Sequence, residues 1–139
     1  MAIDTNVGPS EHLTWNELAC HDGTWYPAEW KNNRAIQLAE VFELIRSACG
    51  NKPITVLSAY RTPTWNAKVG GKPKSQHLEG RAIDLRPPSH MSLDEFYSVI
   101  RSLAKTTHIR GIGKYKTFVH VDVRPTENVA LWYGAGVNA

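Results

Sequence analysis

Two segments of this 139-residue chain set histidine and aspartate among apolar residues. In the first, His77 ends a stretch rich in glycine, proline and lysine, and Asp84 follows inside an apolar run. In the second, His120 and Asp122 alternate with apolar residues, which puts both side chains on one face of a strand. A carboxylate in an apolar strand is costly unless a cation meets it. The pattern therefore predicts either a metal centre or a set of hydrogen-bonded core groups.

Two imidazoles and one carboxylate are a ligand set that catalytic zinc sites use, with a fourth position left for water. Zinc lowers the pKa of such a water to about 7 and polarises a carbonyl group. The alternative is structural, because a histidine on a strand is more often a hydrogen-bonded core residue than a ligand. The spacing alone leaves both interpretations open.

The elements that must position these residues follow from hydrophobic periodicity. Apolar residues at three- and four-residue steps predict a helix from Pro27 to Cys49, with Gly50 in the left-handed region after its end. A capping box at Ser92–Glu95 predicts the start of a second helix, whose apolar face extends to Leu103. Four short apolar or β-branched runs are predicted as strands: 54–57, 82–85, 111–115 and 118–123.

The order of these elements indicates one domain of the α+β class, with a small, largely antiparallel sheet and flanking helices. We expect a loose N-terminal arm over residues 1–12, a single domain over 13–133 and a fraying tail over 134–139. Within the domain, residues 62–76 are predicted as a long surface loop, and residues 131–133 to pack back onto the body.

Composition narrows the functional classes. The net charge of +3 permits a polyanionic partner, with the lysines of 68–74 as its nearest candidate contacts. A nucleic-acid-binding function would leave Asp84 and Asp122 unexplained, so we expect no nucleic-acid partner.

Apolar runs are too short for a transmembrane helix, and the start MAIDTNVGPSEHLTW has no features of a secretory signal. Cys20 and Cys49 lack zinc-knuckle spacing and are expected to be structural.

The motif SxHxxGxAxD at Ser75–Asp84, followed by FVHVD at Phe118–Asp122, resembles the zinc peptidases of the M15 group. This group contains D-Ala-D-Ala carboxypeptidases and murein endopeptidases and shares a fold with the hedgehog signalling domain. The stretch SAYRTP at Ser58–Pro63 also resembles the group, and the likeness extends from about Leu13 to about Arg124. The resemblance implies a hedgehog-like, DD-peptidase-like fold and a bound Zn²⁺.

Residue by residue, the resemblance assigns His77, Asp84 and His120 as the zinc ligands. It matches Arg61 to an arginine that pairs with a substrate carboxylate or carbonyl, a role that suits a guanidinium group. The alternative for Arg61 is an ordinary surface salt bridge.

Three further residues are expected to bind substrate. The resemblance implies that Ser75 and Gln76 line the site beside His77, and loop capping is the alternative for both. Tyr115 is predicted to stack against a ligand at the cleft, with core packing as its alternative.

The chain departs from better-known relatives at the catalytic acid or base. Where those relatives carry histidine or a carboxylate, two or three residues before the last ligand, this chain has Phe118 and Thr117. Asp122 is the nearest group that could transfer a proton at the site. The alternative is that Asp122 orients a ligand or a nearby arginine.

The resemblance implies a monomeric zinc peptidase that hydrolyses peptidoglycan stem or cross-link peptides, as a carboxypeptidase or an endopeptidase. We expect synthesis in the cytoplasm, no membrane partner, and action on the bacterial cell wall after release or as part of a phage particle. The alternative function is a zinc-stabilised binding module of the same fold without catalysis.

Overall fold

A five-stranded sheet organises the fold, which is described by a computed structural model for residues 5–137. In chain order the strands are β1 (Thr55–Ser58), β2 (Ala82–Arg86), β3 (Gly111–Lys114), β4 (Val119–Asp122) and β5 (Ala130–Tyr133). Their order in the sheet is β1-β2-β4-β3-β5. The β3–β5 pair is parallel and the other pairs are antiparallel. The predicted α+β class with a largely antiparallel sheet is confirmed.

The register of β2 against β4 determines where the polar groups of the sheet meet. Asp84 lies opposite His120, and Ala82 lies opposite Asp122. On the other side of β4, Gly113 is the partner of His120. All four residues of β4 are buried, so its polar side chains must find partners inside the protein.

Two helices cover the sheet and supply much of the core. Helix α2 (Arg34–Ala48) buries Leu38, Phe42 and Ile45, and helix α4 (Leu93–Leu103) buries Phe96 and Ile100. The capping box predicted at the start of α4 is present. Gly50 has a φ of +85°, as predicted for the residue after α2.

The predicted start of α2 at Pro27 is wrong. Residues Ala28–Trp30 form a separate 3-10 turn, and the helix begins after Asn33, whose side chain accepts a hydrogen bond from the Arg34 amide. The Asn33 backbone, with φ −136° and ψ −78°, separates the turn from the helix. Asparagine is a favourable N-cap residue, and Asn33 therefore sets the start of α2.

Two short helices lie where the sequence predicted irregular structure. Helix α3 (Pro63–Lys68) occupies part of the predicted loop 62–76, with Thr62 as its N-cap and proline at its first turn. Helix α1 (Trp15–Leu18) begins with a capping box between Thr14 and Glu17. The predicted packing of residues 131–133 onto the body takes the form of strand β5.

The chain ends are described in part. Of the segment predicted as an arm, residues 1–4 lie outside the described residues, whereas Val7 is fully buried and Ser10 donates a hydrogen bond to Glu43 at 2.5 Å. In the tail, residues 138 and 139 lie outside the described part, and the Gly134 amide donates to the Lys114 carbonyl at 2.8 Å. Between residues 5 and 137, no helix combines the length and apolarity needed to cross a bilayer.

Candidate metal centre

Three buried side chains converge above the centre of the sheet. His77 comes from the turn before β2, Asp84 from β2 and His120 from β4, and their nearest donor atoms lie within 4.8 Å of one another. Strand pairing brings Asp84 to His120, because these two residues are cross-strand partners. The structure therefore assembles the three residues predicted as metal ligands.

The tautomer of His77 is fixed by the backbone. Its Nδ1 lies 2.6 Å from the Ala59 carbonyl oxygen, which can only accept, so Nδ1 carries the proton. The Nε2 lone pair then faces the Oδ1 atom of Asp84, 3.1 Å away. Burial lowers the pKa of His77 below its usual 6.5 and favours this neutral ring.

The tautomer of His120 is fixed by a carboxylate, and it is the opposite tautomer to that of His77. Its Nε2 donates to Asp122 Oδ2 at 2.8 Å, and its Nδ1 lies 3.0 Å from Asp84 Oδ1. Burial disfavours the charged ring, but hydrogen bonds to Asp122 and Asp84 outweigh it and raise the pKa of His120. The two imidazoles thus present different nitrogens, Nε2 and Nδ1, to the same carboxylate oxygen.

Asp122 is fully buried and is held on both oxygens. Arg124 donates from Nε to Oδ1 at 2.8 Å and from Nη2 to Oδ2 at 2.7 Å. Burial opposes ionisation, but the hydrogen bonds from Arg124 and His120 prevail and lower the pKa of Asp122 to about 2. The carboxylate is therefore ionised and turned towards His120.

Asp84 completes the set. Its Oδ1 atom faces both histidines, and its Oδ2 atom lies 3.5 Å from the Nη2 atom of Arg61. Burial opposes the ionised form, but the contacts with His120 and His77 outweigh it and lower the pKa of Asp84. Its negative charge is kept in a buried position where a cation would offset the cost.

This arrangement fits a zinc ion. The Ala59 carbonyl holds the second ring nitrogen of His77, Asp122 holds that of His120, and Arg61 lies beside the second oxygen of Asp84. Each ligand is thereby left with one donor atom directed at a common point. A proton shared with His120 Nδ1, or a metal cation in its place, offsets the repulsion between lone pairs that converge in this way. Two imidazoles and a carboxylate also match the donor types that zinc takes.

The three residues lie at the base of an open cleft of about 670 Å³. Its lining includes Ser75, Gln76, Lys72 and Lys74, together with the aromatic side chains described below. The Ser75 hydroxyl accepts a hydrogen bond from the His77 amide at 3.1 Å, so Ser75 both lines the cleft and caps the turn. The Oε1 atom of Gln76 is buried and has no hydrogen-bond partner among the described residues.

Arg61 is held at the cleft wall by neutral partners. Its Nε donates to the Ser58 hydroxyl at 3.2 Å, and its Nη1 donates to Asn66 Oδ1 at 3.3 Å. Asn66, from α3, is itself buried and donates to the Lys72 carbonyl at 2.9 Å. A Cβ at Gly71 would lie 2.0 Å from Asn66 Oδ1, so only glycine lets the loop close over this pair.

Phe118, Tyr115 and Trp132, which we call the aromatic wall, line the same cleft as Arg61. The Tyr115 ring stacks on Phe118 with centroids 4.6 Å apart, and the Trp132 Nε1 donates to the Tyr115 hydroxyl at 2.9 Å. Trp132 also lies against His120, with 5.0 Å between ring centroids. Strand β5 therefore contributes directly to the site.

Comparison with known proteins identifies the family. A family model described as peptidase M15 matches residues 11–122. The chain belongs to the M15 peptidases. It is also 44% identical over 54 residues to the zinc D-Ala-D-Ala carboxypeptidase of Streptomyces albus G. That match covers 37% of this chain and 21% of the relative, so it spans only part of either protein.

Family membership confirms the resemblance in the sequence, and the structure shows two residues beside the candidate centre that the sequence did not single out. Arg124 and Trp132 hold the imidazole side of the centre. Arg124 follows Asp122 at i+2 on the same strand face, which is a local signal that could have predicted their pairing. Trp132 depends on a parallel pairing with β3 that no local pattern indicates.

The departure from other M15 peptidases is also visible in the structure. Phe118 lies in the aromatic wall, and Thr117 is exposed outside the cleft. Among the described residues that line the cleft, Asp84 is the one with a carboxylate. Asp122 lies behind His120 and is separated from the cleft by that ring.

Proposed function

We propose that this M15 chain is a zinc-dependent peptidase that hydrolyses amide bonds in peptidoglycan peptides. The observation that carries the proposal is the buried set of His77, Asp84 and His120, each fixed with one donor atom free, at the base of an open cleft. The partial match to a zinc D-Ala-D-Ala carboxypeptidase supports both the metal and the substrate class.

In this proposal, zinc is held by His77, Asp84 and His120. Bound there, zinc supplies Lewis-acid polarisation of an amide carbonyl and activation of a water molecule. The protein's own contribution is a rigid, partly dehydrated ligand set, because every ligand has a second partner that fixes its orientation.

Arg61 binds the substrate in the cleft that the aromatic wall also lines. Its guanidinium group is held by Ser58 and Asn66 and lies beside the metal ligand Asp84. A guanidinium group in this position favours a peptide carboxylate or the oxyanion that develops during amide hydrolysis. Lys72 and Lys74 add positive charge on the same side of the cleft.

Gln76 and Tyr115 orient the peptide, and Ser75 holds the turn that carries His77. The free Oε1 of Gln76 is an acceptor for a peptide N–H, since it has no partner among the described residues. Tyr115 accepts from Trp132, which leaves its own hydroxyl proton to donate to the substrate. Because Gln76 Oε1 is buried, its side chain must rotate to bring that atom to the substrate.

Asp122 serves this site as a positioning residue. Both of its oxygens are engaged, and the His120 ring lies between its carboxylate and the cleft. Its low pKa means that it stays ionised and keeps the proton on His120 Nε2, with Nδ1 free for the metal. A carboxylate so placed acts through His120 and does not reach the substrate.

A non-catalytic, zinc-stabilised binding module is the second function that a specific observation favours. The observation is the absence of a histidine or carboxylate at positions 117 and 118, where other members carry the proton-transferring residue. Digestion of purified murein separates the two functions, because only a peptidase releases new products.

We would incubate murein with zinc-loaded protein and identify the products by mass spectrometry. Loss of a C-terminal residue from stem peptides identifies a carboxypeptidase, and separation of cross-linked dimers identifies an endopeptidase. We expect one of these products from the wild type and from His90→Ala, an exposed histidine control, and none from His77→Ala. Murein left unchanged by the zinc-loaded wild type would contradict the proposed activity.

A further inference from the structure

A second cavity, of about 480 Å³, is lined by four arginines from distant parts of the chain. They are Arg34 at the start of α2, Arg81 before β2, Arg110 before β3 and Arg124 after β4. We call this cavity the arginine pocket. None of the three metal ligands lines it.

The positive charge of the arginine pocket is poorly neutralised within the protein. Arg34 and Arg110 donate to backbone carbonyls, from Arg34 to Glu79 at 2.7 Å and from Arg110 to Thr107 at 2.7 Å. The carboxylate closest to Arg81 is that of Glu79, at 4.0 Å. Among the four arginines, Arg124 alone has a short ion pair with a described carboxylate, and that carboxylate is Asp122.

The start of helix α2 adds to this positive potential. Arg34 is the first residue of the helix, and its first turn contains no acidic side chain. A helix N-terminus carries a partial positive charge, so a cation at this place is unfavourable unless an anion is present. Partial burial together with repulsion from Arg34 lowers the pKa of Arg81, which reports the same crowding of like charges.

We propose that the arginine pocket binds a phosphate group. Guanidinium forks bind phosphate oxygens in pairs, and several forks around one cavity can surround a tetrahedral oxyanion. The bound phosphate offsets the repulsion among the arginines and the helix terminus together. Arg124 also lines the metal cleft, but Arg34 and Arg81 do not, so phosphate binding at these two residues can be tested separately from the peptidase activity.

Two sources present this chemistry, free inorganic phosphate and a glycerol-phosphate polymer joined by phosphodiesters. Both place a phosphate against Arg34 and Arg81 at the open side of the cavity. The polymer adds further phosphates along its length, which reach the exposed His108 at the margin of the pocket.

The test is an NMR titration of the zinc-loaded protein with inorganic phosphate and, separately, with a glycerol-phosphate oligomer. We expect saturable shifts at the backbone amides of Gln37 and Val123, which line the pocket. Acetate at equal ionic strength should leave these amides unshifted. Tighter binding of the oligomer identifies the polymer as the source, and binding of inorganic phosphate at least as tight identifies the free anion.

The matched variants are Arg34→Gln/Arg81→Gln in the pocket and Arg86→Gln/Lys105→Gln on exposed positions elsewhere. Both pairs remove the same charge. Loss of charged hydrogen bonds should weaken phosphate binding about ten-fold or more in the pocket variant alone. The single variant Arg81→Gln is run alongside it as a milder change and should lose less phosphate affinity.

The proposal is overturned if neither phosphate source shifts these amides, if acetate shifts them equally, or if the exposed variant loses as much affinity as the pocket variant.

Discussion

At the scale of single residues, the candidate centre depends on which ring nitrogen carries a proton. The Ala59 carbonyl determines this for His77, and Asp122 determines it for His120. A metal ligand must offer a lone pair, so these two contacts prepare the site before any ion binds. Arg124 acts one step further away, because it holds the Asp122 carboxylate in place and Asp122 in turn orients the His120 ring.

Replacing Asp122 by asparagine distinguishes a positioning residue from a proton-transferring one. An amide can turn its NH₂ group towards His120 and so favour the wrong tautomer, which should weaken zinc affinity about 10- to 100-fold. Zinc affinity is measured by competition with a chelator, and kcat is measured separately at saturating zinc. A large fall in kcat with unchanged zinc affinity would instead assign Asp122 as the base.

The ligands could be predicted from sequence, but their supports could not. Asp84 and His120 stand out because a polar residue inside an apolar strand needs a partner. His77 lies in a turn outside the strands, and the complete ligand set was implied only by the resemblance to the M15 peptidases. The Ala59 carbonyl carries no sequence signal, since any residue has one. Asn66, which holds Arg61, lies in a stretch predicted as loop, where its burial could not be foreseen.

At the scale of elements, strand β5 adds Trp132 to the aromatic wall through a close fit with β3. A Cβ built on Gly113 would lie 2.4 Å from the Trp132 Nε1 atom, well inside van der Waals contact. Gly113 is also the cross-strand partner of His120. The absence of a side chain at this position makes room for the Trp132 indole, which lies beside the candidate ligand His120 with the two rings tilted by 53°.

The Gly113→Ala variant should therefore destabilise the protein by about 1–3 kcal/mol, as overpacking does. Unfolding in urea measures the loss, and tryptophan fluorescence reports the displaced indole. In the double variant with Trp132→Ala the clash is gone, so its cost should be smaller than the sum of the two single costs. Strictly additive costs would show that Gly113 and Trp132 are not coupled.

The N-terminal segment is attached to helix α2 through Glu43. The Glu43 carboxylate accepts from the Ser10 hydroxyl and lies 2.9 Å from His12 Nδ1. Burial opposes its ionisation, but these contacts prevail and lower the pKa of Glu43 below the usual 4.5. A carboxyl group with a lowered pKa adds stability above its unfolded-state pKa and loses it as the pH falls through the folded-state pKa.

Glu43→Gln should cost about 1 kcal/mol at pH 7, the usual value of a hydrogen bond that is lost. The comparison is made below pH 4.5, where the difference in unfolding free energy between wild type and variant should shrink as Glu43 becomes protonated. Glu40→Gln, an exposed change on the same helix, serves as the control and should cost little at any pH. A difference that grew on acidification would contradict the assigned direction of the pKa shift.

At the scale of the whole molecule, the α+β class and the central strands could be predicted from the sequence. The pairing of the outer strand β5 could not. The strands around Asp84 and His120 are apolar and short, so their pattern was clear. Strand β5 pairs in parallel with β3, and such a pairing depends on distant chain segments. The excess of positive charge was assigned to the loop lysines, whereas the structure gathers four arginines in one pocket.

If zinc bound by His77, Asp84 and His120 makes this chain a peptidase, its activity must follow the occupancy of that one site. Protein stripped with a chelator is given increasing zinc while the release of new amines from murein is measured. We predict no release without metal, a linear rise, and a plateau at one equivalent, since the described residues offer one three-ligand cluster. Full hydrolysis by the stripped protein, or release that does not follow zinc occupancy, would contradict the account.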